Sequence, residues 1–106
     1  MKRIHMLEMK TPYDALQKNE LILDVRSPLE FASGHVLGAK NIPLDRVMNH
    51  AEELKAYHAV YVHCAAGVRS DTACQILESL GLTNLVCIDD GGFADWLQAG
   101  FPTERS

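Results

Sequence analysis

Short apolar runs alternate with stretches of helical spacing along the chain, and the two periods divide it into elements. Leu21-Ile22-Leu23-Asp24-Val25 is almost wholly apolar, as expected of a strand covered on both faces. Ala59-Val60-Tyr61-Val62-His63-Cys64 and Leu85-Val86-Cys87-Ile88 have the same character. Residues 3–9 read as an edge strand. Thr11-Pro12 opens a helix to about Asn19, with Thr11 as cap and Asp14 three residues later. Ser27-Pro28 opens a short helix through Phe31, which ends before Gly34. Gly38 and Pro43 punctuate an irregular connection, and Leu44 to about Ala56 reads as a helix broken near Asn49. Another helix follows the loop 65–68 and runs to about Leu80, with Ala73, Ile76, Leu77 and Leu80 on one face and Gly81 as its stop. Gly91-Gly92 makes a turn, residues 93–98 a last helix with Phe93, Trp96 and Leu97 turned inward, and residues 101–106 a tail. Strands alternating with helices predict an α/β fold: a three-layer domain, with a mainly parallel sheet of four to five strands between helices. The 106 residues suit a single domain, 1–106.

Charge narrows the partners. The formal net charge is −4 and no basic stripe exists, which speaks against nucleic acid. Lys2 and Arg3 are too few for a polybasic anchor, and no apolar run approaches the roughly 20 residues of a membrane span. The first residues acquire charge before any signal-like apolar region develops. A cytoplasmic protein with no membrane partner is the expectation. No long apolar stripe demands a dimer, so a monomer is expected.

The cysteines are Cys64, Cys74 and Cys87. Their odd number and wide spacing argue against a disulfide set or a zinc site, and no metal is expected. Cys74 and Cys87 read as small buried apolar residues. Cys64 differs, because it stands where a strand gives way to a loop that feeds a helix. Ligands of open α/β sheets bind at the carboxyl ends of strands. The loop Cys64-Ala65-Ala66-Gly67-Val68-Arg69 is small-sided, so its N–H groups can converge on one point. The following helix N-terminus adds partial positive charge there, and Arg69 a full one. A thiol so placed should have a lowered pKa.

Cys64-x-x-Gly67-x-Arg69 after an apolar strand resembles the active loop of the rhodanese family. Leu23-Asp24-Val25-Arg26 with Glu30-Phe31 resembles that family's first signature. Gly34 through Pro43 resembles its second, with Val36 where Ile is commoner. Gly91-Gly92-Phe93 with Trp96 resembles the closing segment, and the four stand in the family's order. The resemblance implies a thiosulfate sulfurtransferase in which Cys64 becomes a persulfide, then passes its outer sulfur to cyanide or a thiol. Cys64 is catalytic on this reading, Ala65, Ala66, Gly67, Val68 and Arg69 bind substrate, and no cofactor is required. The partners implied are a small-molecule sulfur donor and acceptor, or a sulfur-relay protein.

Asp24, Arg26 and Glu30 read as supporting residues. Arg26 and Glu30 could pair beneath the loop, or form a plain ion pair at a helix start. His35 reads as structural, with its ring bonded to backbone. Strand alternation turns His63 away from Cys64, so no Cys–His pair is assigned. Gly91-Gly92 could approach the loop closely, although turn formation is the simpler reading. Ala65 stands where several family members have a basic residue, which predicts a weaker salt dependence of thiosulfate turnover than in a relative with a basic loop.

Two alternatives remain. A cysteine phosphatase or arsenate reductase uses a similar cradle, but phosphatases place five residues between Cys and Arg, and this loop supplies four, Ala65 to Val68. A non-catalytic rhodanese-like binding module is the other, and retention of Cys64 in an intact loop argues against it.

Overall fold

Strands covered on both faces must send apolar side chains both ways. The computed structural model, which describes residues 1–105, shows this directly. Among the described residues seven strands succeed one another: β1 (Lys2–His5), β2 (Glu20–Asp24), β3 (His35–Val36), β4 (Lys40–Asn41), β5 (Ala59–His63), β6 (Leu85–Asp90) and β7 (Thr103–Glu104). The helices are α1 (Lys10–Asp14), α2 (Pro28–Ser33), α3 (Ala51–Lys55), α4 (Val68–Ser79) and α5 (Phe93–Gln98). Leu21 and Leu23 of β2 enter one buried apolar cluster and Ile22 the other, as the period of two requires. β6 divides the same way, with Leu85 and Cys87 in the first cluster and Ile88 in the second.

Five strands pair in the order β1-β6-β5-β2-β4, and every pairing is parallel. β5 is therefore central, and the chain leaves its carboxyl end at Cys64. The first cluster packs Ala73, Cys74 and Leu77 of α4 and Leu54 of α3 against the sheet. The second gathers Met6, Met9, Val36 and Trp96 on the other face. The three-layer α/β expectation holds.

Several local expectations do not. The first strand stops at His5, because His5 Nδ1 accepts the Leu7 N–H and Glu8 accepts the His5 N–H. That capping box starts a 3-10 turn, Met6–Met9, which runs directly into α1, so Thr11 caps nothing. α1 ends at Asp14 rather than Asn19, and a turn follows in which Glu20 accepts the Gln17 N–H at 2.9 Å. The buried residues of α4 are Ser70, Ala73, Cys74 and Leu77, and Leu80 is exposed. Leu97 is also exposed, since Trp96 takes the inward position on α5. The expected tail contains β7, which pairs antiparallel with β3. A two-residue strand has no period to read in sequence. The break near Asn49 is present, as a 3-10 turn Leu44–His50 that passes into α3.

Candidate active site

Cys64 is the first residue beyond β5, and the chain there must reverse into α4 within a few residues. Gly67 makes that possible with φ +102°, and a Cβ on it would overlap the Asp89 carbonyl. Both facts restrict the position to glycine. The turn aims main-chain donors at the sulfur. Cys64 Sγ accepts the Gly67 N–H at 3.1 Å and the Ser70 N–H at 3.2 Å. Ser70 Oγ lies 3.3 Å from the same sulfur, and also 2.5 Å from the Ile88 carbonyl and 3.1 Å from that of Gly67. The hydroxyl has one proton and three acceptors. It can donate to a Cys64 thiolate, or turn to a carbonyl and accept S–H from the neutral thiol.

The opposite wall is the turn between β6 and α5. Phe93 donates its N–H to the Cys64 carbonyl at 3.1 Å. A Cβ on Gly92 would overlap the Ala65 carbonyl. Gly92 thus meets the loop by close approach, which the simpler turn reading had set aside.

Burial raises the Cys64 pKa, and hydrogen bonds from the Ser70 hydroxyl and from the amides of Ser70, Ala66 and Gly67 lower it. The hydrogen bonds prevail, and the thiol lies below its ordinary value. Cys64 is only 1% exposed, so a donor must reach the sulfur through the loop. Cys74 behaves oppositely: its hydrogen bond to Cys87 and its burial push it upward, which keeps it a thiol.

The other anticipated site residues divide. Ala65 is half-buried, Ala66 and Val68 are exposed, and all three border the loop. The Arg69 guanidinium forms a bidentate pair with Glu30, at 2.6 and 3.0 Å, and its charge still acts on Cys64 from there. The possible Arg26–Glu30 pair is absent. Glu30 sits third in the helix capped by Ser27, and its carboxylate folds back onto Ser27, where Arg69 reaches it. Arg69 holds the Glu30 carboxyl down to about 2. Arg26 instead grips the fully buried Asp24 through Nε and Nη2, donates to the Gly34 carbonyl and lies over the Phe93 ring. A buried carboxylate needs such a partner, and Arg26 is the nearest cation in sequence.

His35 bonds the Phe31 carbonyl at 2.7 Å and Glu104 at 3.0 Å, a structural role. His63 is fully buried; its Nδ1 lies 3.2 Å from the Cys64 carbonyl and its Nε2 3.8 Å from Asp24. Burial lowers its pKa against the opposing pull of Asp24. Asp71, Cys87 and Asp89 gather ligand-type atoms, but Arg3 fills the space among them, at 2.6 and 2.7 Å from the carboxylates. Sequence reasoning missed Ser70. Its signal is a small hydroxyl residue in the first turn of the helix after the loop, on the face that α4 buries.

A parallel sheet with a cysteine cradled at its central carboxyl edge has known counterparts. The chain belongs to the rhodanese-like domain family, whose family model matches residues 9–99. Among curated proteins it is 38% identical over 96 residues to Uncharacterized protein YqhL of Bacillus subtilis, covering 91% of this chain and 72% of that one. It is 30% identical over 90 residues to Thiosulfate sulfurtransferase GlpE of Vibrio cholerae, covering 85% and 84%. The NMR structure of a rhodanese-like domain from Anabaena superposes with a TM-score of 0.85 at 26% identity, covering 100% of this chain and 80% of that one. Two other relatives are much longer: the chain spans 54% of one from Synechocystis and 40% of YrkF from Bacillus subtilis. No helix of the described residues is long and apolar enough to cross a membrane.

Proposed function

We propose that the chain is a sulfurtransferase that carries sulfane sulfur on Cys64, with thiosulfate as donor and cyanide or a thiol as acceptor. The observation that carries this reading is the convergence of the Gly67 and Ser70 N–H groups and the Ser70 hydroxyl on Cys64 Sγ. A thiolate held there attacks the outer sulfur of thiosulfate. The bond between that sulfur and the sulfonate breaks, and its electron pair leaves with sulfite. The persulfide retains one negative charge, and the sulfur still bonded to Cys64 keeps its ring of donors. Cyanide then takes the outer sulfur as thiocyanate, and the electron pair of the S–S bond returns to Cys64.

The family relation and the GlpE likeness support sulfur transfer. The commitment of Arg69 to Glu30 speaks against the phosphatase alternative, since it leaves no loop guanidinium free to face a phosphate. Thiocyanate formation from thiosulfate and cyanide tests the proposal. The wild-type protein should turn over, and Cys64→Ser should lose all activity while keeping its circular dichroism. Full activity in Cys64→Ser, or hydrolysis of p-nitrophenyl phosphate in place of sulfur transfer, would refute it.

A further inference from the structure

The cradle around Cys64 leaves one requirement of a thiol acceptor unmet. Ala65, Ala66, Gly67 and Val68 have no charged side chain, and Arg69 is tied to Glu30. Any charged group that an acceptor carries is therefore met outside the loop. A groove of about 470 Å³ adjoins it, between the start of α2 and the 3-10 turn Leu44–His50. Val25, Pro28, Pro43 and Leu44 give it apolar walls, and Asp45 and Arg46 stand at its edge. Both are exposed, and among the described residues neither has an ion-pair partner. Val25, which lines the groove, donates its N–H to the His63 carbonyl at 3.1 Å, one residue from Cys64. Arg69 lines the groove from the loop side.

We infer that this groove binds the sulfur acceptor, a peptide-sized thiol carrying both carboxylate and ammonium groups, with Arg46 as the residue that selects it. The inference rests on the proposed persulfide chemistry at Cys64. An adjacent free cation and free carboxylate complement a zwitterion, and the apolar walls accommodate its carbon skeleton. The volume falls within the range of small-molecule sites, far above what cyanide needs. In the transfer step, the outer sulfur of the Cys64 persulfide takes the proton of the acceptor thiol, and the acceptor thiolate so formed bonds to that sulfur. The S–S bond to Cys64 breaks with its electron pair on Sγ, and the product leaves as a small-molecule persulfide.

Acceptor kinetics with glutathione and with the uncharged 2-mercaptoethanol test this in wild type, Arg46→Ala and Arg46→Lys. Arg46→Ala should raise the ratio of the glutathione KM to the 2-mercaptoethanol KM about fivefold, the effect of one exposed ionic contact. Arg46→Lys should restore most of that preference. An unchanged ratio in Arg46→Ala would overturn the assignment. Binding of the unreactive S-methylglutathione, followed by amide chemical shifts, separates this from failure at Cys64. Shifts confined to residues 25–28, 43–46 and 69, weakened in Arg46→Ala, support the groove even if no persulfide forms. Absence of shifts there would overturn the groove even if thiocyanate production is normal.

Discussion

Ser70 is the residue on which the reactivity of Cys64 turns. Its main-chain N–H and its hydroxyl both meet the sulfur, and burial alone would leave the thiol protonated. Ser70→Ala should lower kcat/KM near neutral pH about tenfold, the scale of one hydrogen bond to a charged group. Because the thiolate is the reacting form, the rise of kcat/KM with pH should start below the ordinary thiol value of 9.0 in wild type. In the variant that rise should move to higher pH, and overlapping profiles would remove the hydroxyl from the mechanism. Glu30 has a different role, as the anchor of Arg69. Its carboxyl is depressed to about 2 from 4.5, so its stabilisation is complete above pH 4.5 and is lost as pH falls toward 2. The pair is more than a third exposed, and Glu30→Gln should cost only about 0.5 kcal/mol at pH 7. Acid unfolding should show that difference shrinking below pH 4.5; a difference that grows instead would contradict the ion pair.

Two turns hold the loop, and each depends on a missing side chain. At Gly67 both the left-handed backbone and the Asp89 carbonyl oppose a Cβ, so Gly67→Ala should cost about 1–3 kcal/mol and displace the amide that faces the sulfur. Chemical denaturation and thiocyanate formation should both register the change, and a variant with wild-type stability and turnover would contradict this geometry. On the far side of the sheet, Trp96 is fully buried, donates its indole N–H to the Pro102 carbonyl at 2.8 Å and meets Tyr13 and Phe101 edge-on. Trp96→Ala should cost about 3–5 kcal/mol, measured by denaturant midpoint. Elements with a long period were legible in the sequence. β2, β5, β6 and α5 lie within a residue or two of their expected bounds. What stayed hidden depends on side-chain choices without periodicity: the His5 and Glu8 cap that cuts β1 short, the Gln17–Glu20 turn that ends α1, and the pairing of β7 with β3. The loop was legible as a cysteine at a strand end. The direction of Arg69 was not, because Glu30 comes to it from another element and stands 39 residues away in sequence.

At the level of the whole molecule, the sheet order matters most. β5 lies between β6 and β2, so Cys64 emerges at the centre of the carboxyl edge, with the β6–α5 turn on one side and the groove beyond β2 on the other. The Cys64 thiol is thereby lowered by donors that face the loop, whereas Cys74 stays protonated and donates to Cys87 within the core. The difference is visible by mass. Intact-protein mass spectrometry after incubation with thiosulfate should show a gain of about 32 Da, one sulfur atom, that disappears on adding cyanide and never forms in folded Cys64→Ala. An unchanged wild-type mass, or the same gain in Cys64→Ala, would contradict sulfur carriage on Cys64.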